Sequence, residues 1–194
     1  MHLMQIYDEY YQPVRRFILN TVRNEWLADD LVQETFIRIN NNLEKVRDAG
    51  RLKSWIFRIA YNLCQDYFRS RGKSAPLDDE VVSEEPGSAA VLTTQKKLEQ
   101  FQMRQCVFGL VNHLPESLRI VLILSDIDEF SQQEIAEITG LTVANVKTRL
   151  HRARNKLKGL LEEHCVFEVD ERNVLTCQPE KTELAKTFVK SSRS

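Results

Sequence analysis

The chain has 194 residues, 42% hydrophobic and 28% charged, which is enough apolar material for one large or two small cores and an ordinary charge content for a soluble protein. A net charge of −1 excludes a polycation that grips nucleic acid over its whole surface, so any such binding must come from local patches. No apolar run reaches membrane-spanning length and the N-terminus carries no signal-peptide pattern, so no membrane insertion is expected and the expected location is the cytoplasm.

Only six glycines and five prolines punctuate the chain, and long segments follow a helical period without strand alternation. The expected fold class is all-α: two small helical domains, residues 1–73 and 97–162, joined by a flexible acidic linker, residues 74–96, with a tail over 163–194. Ile6, Tyr10, Val14, Phe17, Ile18 and Val22 mark the first amphipathic helix, which Pro13 is expected to kink or delay. Trp26 to Asn41 reads as a second helix, with Ala28, Leu31, Val32, Thr35, Phe36 and Ile39 facing inward. Asp30, Gln33, Glu34, Arg38 and Asn41 form a polar ridge on its other side, a pattern that plain solvent exposure also explains.

Leu43 to Arg51 is polar and reads as a loop. Leu52 to Arg71 reads as a third helix, with Leu52, Ile56, Ile59, Leu63 and Tyr67 as its core stripe. Trp55, Phe57, Tyr61 and Phe68 are interleaved there with Lys53, Arg58, Arg69 and Arg71. Rings among cations suit unpaired bases, which stack while phosphates meet the basic groups. Aromatic rings are also common core residues; Trp55 is assigned to packing, and the other rings stay open between the two roles.

From Ser74 to Gln95 the composition shifts. Asp78, Asp79, Glu80, Glu84 and Glu85 occur with Pro76, Pro86 and Gly87, and no Lys or Arg falls between Pro76 and Gln95. Such a stretch buries too little apolar surface to fold alone and reads as an acidic tether. Leu98 to Val111 is again helical, and Leu114-Pro115-Glu116 opens another helix, since proline fits a first turn.

Ser131 to Lys158 carries the strongest pattern. Ser131 and Glu134 make a capping box, Ile135, Ala136 and Ile138 an apolar face, and Gly140 a left-handed helix end. Thr142 caps the next helix, in which Val146, Leu150, Ala153, Leu157 and Leu161 form one stripe. No acid occurs from Thr142 to Leu161, whereas Lys147, Arg149, Arg152, Arg154, Lys156 and Lys158 all lie there. This is a helix-turn-helix whose second helix suits a DNA major groove: its early side chains reach base edges and its later cations lie along phosphates.

In the tail, CVFEVDERNVLTC alternates on either side of Asp170 to Asn173 and reads as a short β-hairpin with Cys165 and Cys177 at its ends. The four cysteines, Cys64, Cys106, Cys165 and Cys177, include no CxxC pair. Cys64 and Cys106 read as reduced thiols that pack as small hydrophobes. For Cys165 and Cys177 three readings stand: inert thiols, which are favoured, a redox pair, or a partial metal site with His164 that lacks a fourth ligand.

LADDLVQETFIRI followed by LKSWIFRIAYNLCQDYFRSR resembles region 2 of extracytoplasmic-function (ECF) sigma factors of bacterial RNA polymerase. LPESLRIVLILSDIDEFSQQEIAEITGLTVANVKTRLHRARNKLK resembles their region 4, so the likeness covers about residues 5–162 and omits the tail. The resemblance implies that the ridge of Asp30, Gln33, Glu34 and Arg38 docks on core RNA polymerase, at the clamp helices of its largest subunit. It implies that the third helix, with the loop before it, binds the −10 element and captures a flipped base, with Asn62, Asp66 and Arg69 near that DNA and Arg58 and Tyr61 beside them. This chain departs from the family in that loop, where VRDAGRLKSW stands in place of a phenylalanine-containing F-R-G-like stretch. Lys147, Thr148, Arg149, His151 and Arg152 match the −35 contacts, with His151 ranked below the two arginines. The linker matches one that threads the polymerase cleft, and an anti-sigma factor is an implied partner.

The expected function is a sigma factor that binds core RNA polymerase and promoter DNA, directs initiation and aids melting. The competing reading is a stand-alone helix-turn-helix regulator that binds operator DNA as a dimer. No phosphate-binding glycine loop, nucleophile–base set or metal cluster is visible, so no enzyme activity, cofactor or metal is expected.

Overall fold

Helix α1 runs from Leu3 to Val22 with Pro13 inside it, so the proline does not delay its start. The computed structural model describes residues 3–45, 48–71, 106–169 and 175–179; the acidic linker lies outside them. Ile6, Val14, Phe17, Ile18 and Val22 are buried along α1, as their spacing predicts. Arg23 ends the helix at φ 57°, its N–H donating to the Leu19 carbonyl at 2.8 Å. Asn24 then caps α2 (Glu25–Asn42) by accepting from the Leu27 N–H at 2.9 Å. This two-residue corner folds α2 back beside α1. Arg15 braces the pair by reaching Glu25 at 2.9 Å and Asp29 at 2.7 Å.

α2 buries Ala28, Val32, Thr35, Phe36 and Ile39. Leu31, expected inside, is half-buried. The following segment contains two single 3-10 turns, Leu43–Lys45 and Ala49–Arg51. Helix α3 (Leu52–Arg71) buries Leu52, Ile56, Phe57, Ala60, Leu63 and Cys64. The stripe read from sequence is thus corrected, because Ile59 and Tyr67 are only half-buried while Phe57 is fully enclosed. The reason is that α3 packs on α1 and α2 and also on a later helix, α6 (Gln132–Thr139). Phe57 stands between them, its ring 5.4 Å from Phe17 and 4.8 Å from Phe130.

Residues 106–111 form helix α4, which is followed by α5 (Glu116–Leu122). The chain then widens into a π turn over Ile123–Ile127, where the Asp128 N–H bonds the Ile123 carbonyl at 3.0 Å. α6 (Gln132–Thr139) and α7 (Val143–His164) follow. Strands β1 (Cys165–Val169) and β2 (Leu175–Pro179) pair antiparallel. Among the described residues the regular elements are therefore helical apart from this one hairpin.

The chain forms two compact units: residues up to Val82 with Glu116–His151, and Ser83–Pro115 with Arg152–Ser194. The first unit is held by polar contacts as well as by Phe57. The buried Arg119 guanidinium donates to the Thr21 carbonyl at 3.0 Å. Gln65 donates to Glu116 at 3.1 Å. Lys53 donates to the Asp128 carbonyl at 2.6 Å and lies 4.3 Å from the centre of the Phe130 ring. In the second unit the hairpin register pairs Cys165 with Pro179 and Phe167 with Cys177. Cys165 and Cys177 are thus not cross-strand partners: the ladder closes two residues beyond the register that would set them opposite each other.

Candidate nucleic-acid interface

The helix-turn-helix is built by local chemistry. The Ser131 N–H donates to Glu134 Oε2 at 2.8 Å, and the Glu134 N–H returns a bond to Ser131 Oγ at 3.3 Å. Hydrogen bonding with the Ser131 side chain, and then with its backbone N–H, lowers the Glu134 carboxyl from its ordinary value. At the other end of α6 Gly140 adopts φ 71°, and its N–H meets the Ala136 carbonyl at 2.9 Å. There is open space where a Cβ would stand, so the demand for glycine comes from the backbone angle. Thr142 Oγ1 accepts from the Asn145 N–H at 3.2 Å and starts α7.

Ile135 and Ile138 of α6 and Val146, Leu150 and Ala153 of α7 are buried. That stripe fixes which side of α7 faces out. Lys147, Thr148, His151 and Arg152 are exposed, as are Asn155 and Lys156. Thr148 and Asn155 lie opposite the buried stripe, and Thr148 Oγ1 is tied back to the Ala144 carbonyl at 3.0 Å. Arg149 sits at the edge of the stripe and is half-buried. Its charge reaches Tyr61 of α3, whose phenol is raised above its ordinary value by burial, with Arg149 opposing that rise.

A second polar face lies on α3. Arg58, Asn62, Asp66 and Arg69 are exposed at spacings of four, four and three, so they share one side of the helix. Asp66 and Arg69 form an ion pair. Tyr61 flanks this face half-buried. Beside it Arg38, Asn42, Trp55, Ile59 and Asn62 line a groove between α2 and α3. Trp55, assigned to packing from sequence, is half-buried and forms a wall of that groove.

The α2 ridge is also as its period predicts. Asp30, Gln33 and Arg38 are exposed, Glu34 is half-buried, and Arg38 Nε is 2.8 Å from Glu34 Oε1. Sequence reading missed two apolar side chains on the same outward face, Trp26, 85% exposed, and Ile37, 46% exposed. The available signal was that both fall off the inward positions of α2. A large apolar pair among carboxylates and amides is the composition of a protein-docking surface rather than of a phosphate-binding one. Among the described residues no helix is long and apolar enough to cross a membrane.

Comparisons with known proteins cover the ranges that hold these helices. Residues 6–74 match the family Sigma-70 region 2, and residues 104–157 match Sigma-70, region 4. RNA polymerase sigma factor SigZ of Bacillus subtilis (strain 168) is 31% identical over 170 residues, spanning 88% of this chain and 93% of the relative. ECF RNA polymerase sigma factor SigM of the same organism is 32% identical over 160 residues, spanning 82% and 95%. Among solved structures, the sigma factor RpoE in complex with the anti-sigma factor NepR from Bartonella quintana shares the fold with a TM-score of 0.66 and 24% identity, covering 82% of this chain and 96% of that one. CnrH in complex with the cytosolic domain of CnrY gives a TM-score of 0.58 at 24% identity, covering 83% and 88%.

Proposed function

Given that the chain belongs to the ECF sigma factors of bacterial RNA polymerase, we propose a division of labour among its surfaces. As a sigma factor it binds core RNA polymerase and directs promoter-specific initiation. Residues 1–73 act as the core-binding and −10 domain, 74–96 as the linker, 97–162 as the −35 domain and 163–194 as an appended tail. The α2 ridge of Asp30, Gln33, Glu34 and Arg38 docks on core polymerase, with Trp26 and Ile37 supplying apolar contact. The α3 face of Arg58, Asn62, Asp66 and Arg69, with Tyr61 at its edge, meets the −10 element. Lys147, Thr148, Arg149, His151 and Arg152 meet the −35 element.

The observation that carries this reading is the exposure of Lys147, Thr148, His151 and Arg152 on one acid-free side of α7, opposite a stripe that pins the helix. Cations on that side reach guanine acceptors and phosphates in a major groove. The groove walled by Trp55 and Asn62 offers a ring and an amide, which suit an unstacked base. The stand-alone operator-binding regulator finds no support among the relatives.

The RpoE and CnrH structures were solved with anti-sigma partners. This chain takes such a partner on the same grounds of kinship, and it works in the cytoplasm where core polymerase is found. The deciding experiment is run-off transcription with purified core enzyme on promoters selected from a random pool. The expected result is core-dependent transcripts from a two-element consensus. Tight binding to a palindrome without core, and no transcripts with it, would overturn the reading.

A further inference from the structure

The two sulfur atoms of Cys106 and Cys165 lie 3.6 Å apart, although 59 positions separate them in the chain. Cys106 lies in α4, and Cys165 is the first residue of β1, directly after α7. Nothing in the sigma-factor reading uses either thiol. A disulfide needs its sulfurs about 2.05 Å apart, so this pair must close by about 1.5 Å. We propose that Cys106 and Cys165 are a peroxide-responsive thiol pair, which oxidises to an intramolecular disulfide that fastens the start of the C-terminal hairpin to α4.

The accessibilities fix the order of events. Cys106 is half-buried, whereas Cys165 is 7% exposed, so peroxide meets Cys106 first. The Cys106 thiolate attacks one peroxide oxygen, the O–O bond breaks and water leaves, giving a sulfenic acid. Cys165 Sγ then attacks that sulfur, the S–O bond breaks and a second water leaves as the S–S bond forms. Two electrons pass from the sulfurs to the peroxide oxygens, and the two thiol protons end in the waters. A dithiol reductant reverses the bond by exchange. The other cysteines do not compete from the same position. Cys64 is fully buried, and burial pushes its thiol up to about 12, which starves it of thiolate. The hairpin register sets Cys177 opposite Phe167, not opposite Cys165. Sequence reading favoured inert thiols at Cys165 and Cys177 and kept a redox pair there as the second reading; the distance between sulfurs points instead to Cys165 with Cys106.

The test uses the full chain, treated with hydrogen peroxide near stoichiometry, alkylated and digested with trypsin. Each cysteine falls in its own tryptic peptide: IAYNLCQDYFR for Cys64, QCVFGLVNHLPESLR for Cys106, GLLEEHCVFEVDER for Cys165 and NVLTCQPEK for Cys177. The expected product is the second peptide linked to the third, lighter by two hydrogens (about 2 Da) than their sum and released by dithiothreitol. Oxidation is expected to raise the thermal midpoint by about 5 °C or more, since closing a long loop stabilises the folded chain. Cys106→Ser, at a half-buried site, keeps the fold and abolishes both effects. Linkage of Cys165 to Cys177, a disulfide between two copies, or sulfinic acid at Cys106 with no linked peptide would each overturn the proposal.

Discussion

Arg16 in α1 places its guanidinium 2.9 Å from a carboxylate oxygen of Asp128, a residue 112 positions later whose side chain is 1% exposed. The carbonyl of the same aspartate accepts from Lys53 of α3 at 2.6 Å. Two cations from the N-terminal helices thus converge on the residue just before the helix-turn-helix. A buried carboxylate is tolerable only while it is paired, because removing one partner strands a charge away from water. Arg16 itself is 45% exposed, so the cost of losing it falls on Asp128.

Arg16→Ala is therefore expected to destabilise the first unit by about 2 kcal/mol, below the full buried-pair figure because Lys53 remains nearby. Urea unfolding followed by circular dichroism measures this. A change under half a kilocalorie (about 0.5 kcal/mol, the usual scatter of a surface substitution) would show that the pair contributes little.

Burial raises the Asp128 carboxyl above its ordinary value, with Arg16 and then Lys53 opposing. An acid whose folded pKa is raised holds its proton more tightly in the native state than in the unfolded chain. Its contribution to stability is present below the unfolded carboxylate value and is lost as pH rises through the folded one. Thermal midpoints of the parent and Asp128→Asn should thus diverge as pH rises from about 4, the ordinary carboxylate value, with the parent losing ground. The lowered Glu134 works in the opposite sense but is common to both proteins and cancels. Parallel profiles across that window would contradict the assignment.

How much of this was legible beforehand divides by the range of the interaction. The capping box, the Gly140 turn, the Val146, Leu150 and Ala153 part of the α7 stripe (Leu157 and Leu161 are only half-buried) and most of α2 were readable because each depends on residues within a few positions of one another. The buried faces of Phe57, Arg119 and Asp128 were not, because what buries them comes from α1, α3 or α6 at long separation. Phe57 looked like one more ring among cations, and only the second helix packed on α3 makes it core. Nothing near Arg119 in the sequence marks it as buried, because the Thr21 carbonyl that its guanidinium meets lies 98 positions away. The hairpin was visible as alternation, but its register was not, since turn length sets register and the sequence left that length open. Trp55, read as a packing residue, is half-buried at a groove wall, and a helix period does not distinguish that from a core wall.

On α7, Arg152→Ala in the assembled holoenzyme should lower transcription from a −35-dependent promoter by about tenfold or more, the worth of one base or phosphate contact of about 1–3 kcal/mol. If Arg152 meets phosphate, the log–log salt slope of promoter binding also falls by roughly 0.9. Lys158→Ala is the control, since Lys158 sits near the far end of the helix, 3.6 Å from Glu162, and its loss should change little. Equal effects of the two substitutions would argue against a recognition role for the first.

On α2, Trp26→Ala should weaken competition for core polymerase by about tenfold while leaving the thermal midpoint in place, because an exposed tryptophan is a common energetic anchor of docking surfaces and contributes little to the fold. Asp30→Ala with Gln33→Ala should act in the same direction. Fluorescence anisotropy with labelled parent protein as competitor reads both. Unaltered competition would remove this face from the core-binding assignment.

The chain contains only two tryptophans, Trp26 and Trp55. One stands on the α2 face, 85% exposed, and the other lines the groove beside Asn62. Each surface therefore carries a built-in optical reporter. A tryptophan-free clamp-helix fragment should shift the emission of Trp26 to shorter wavelength, and a single-stranded oligonucleotide should quench Trp55, so that docking and strand capture can be timed separately in one unlabelled molecule.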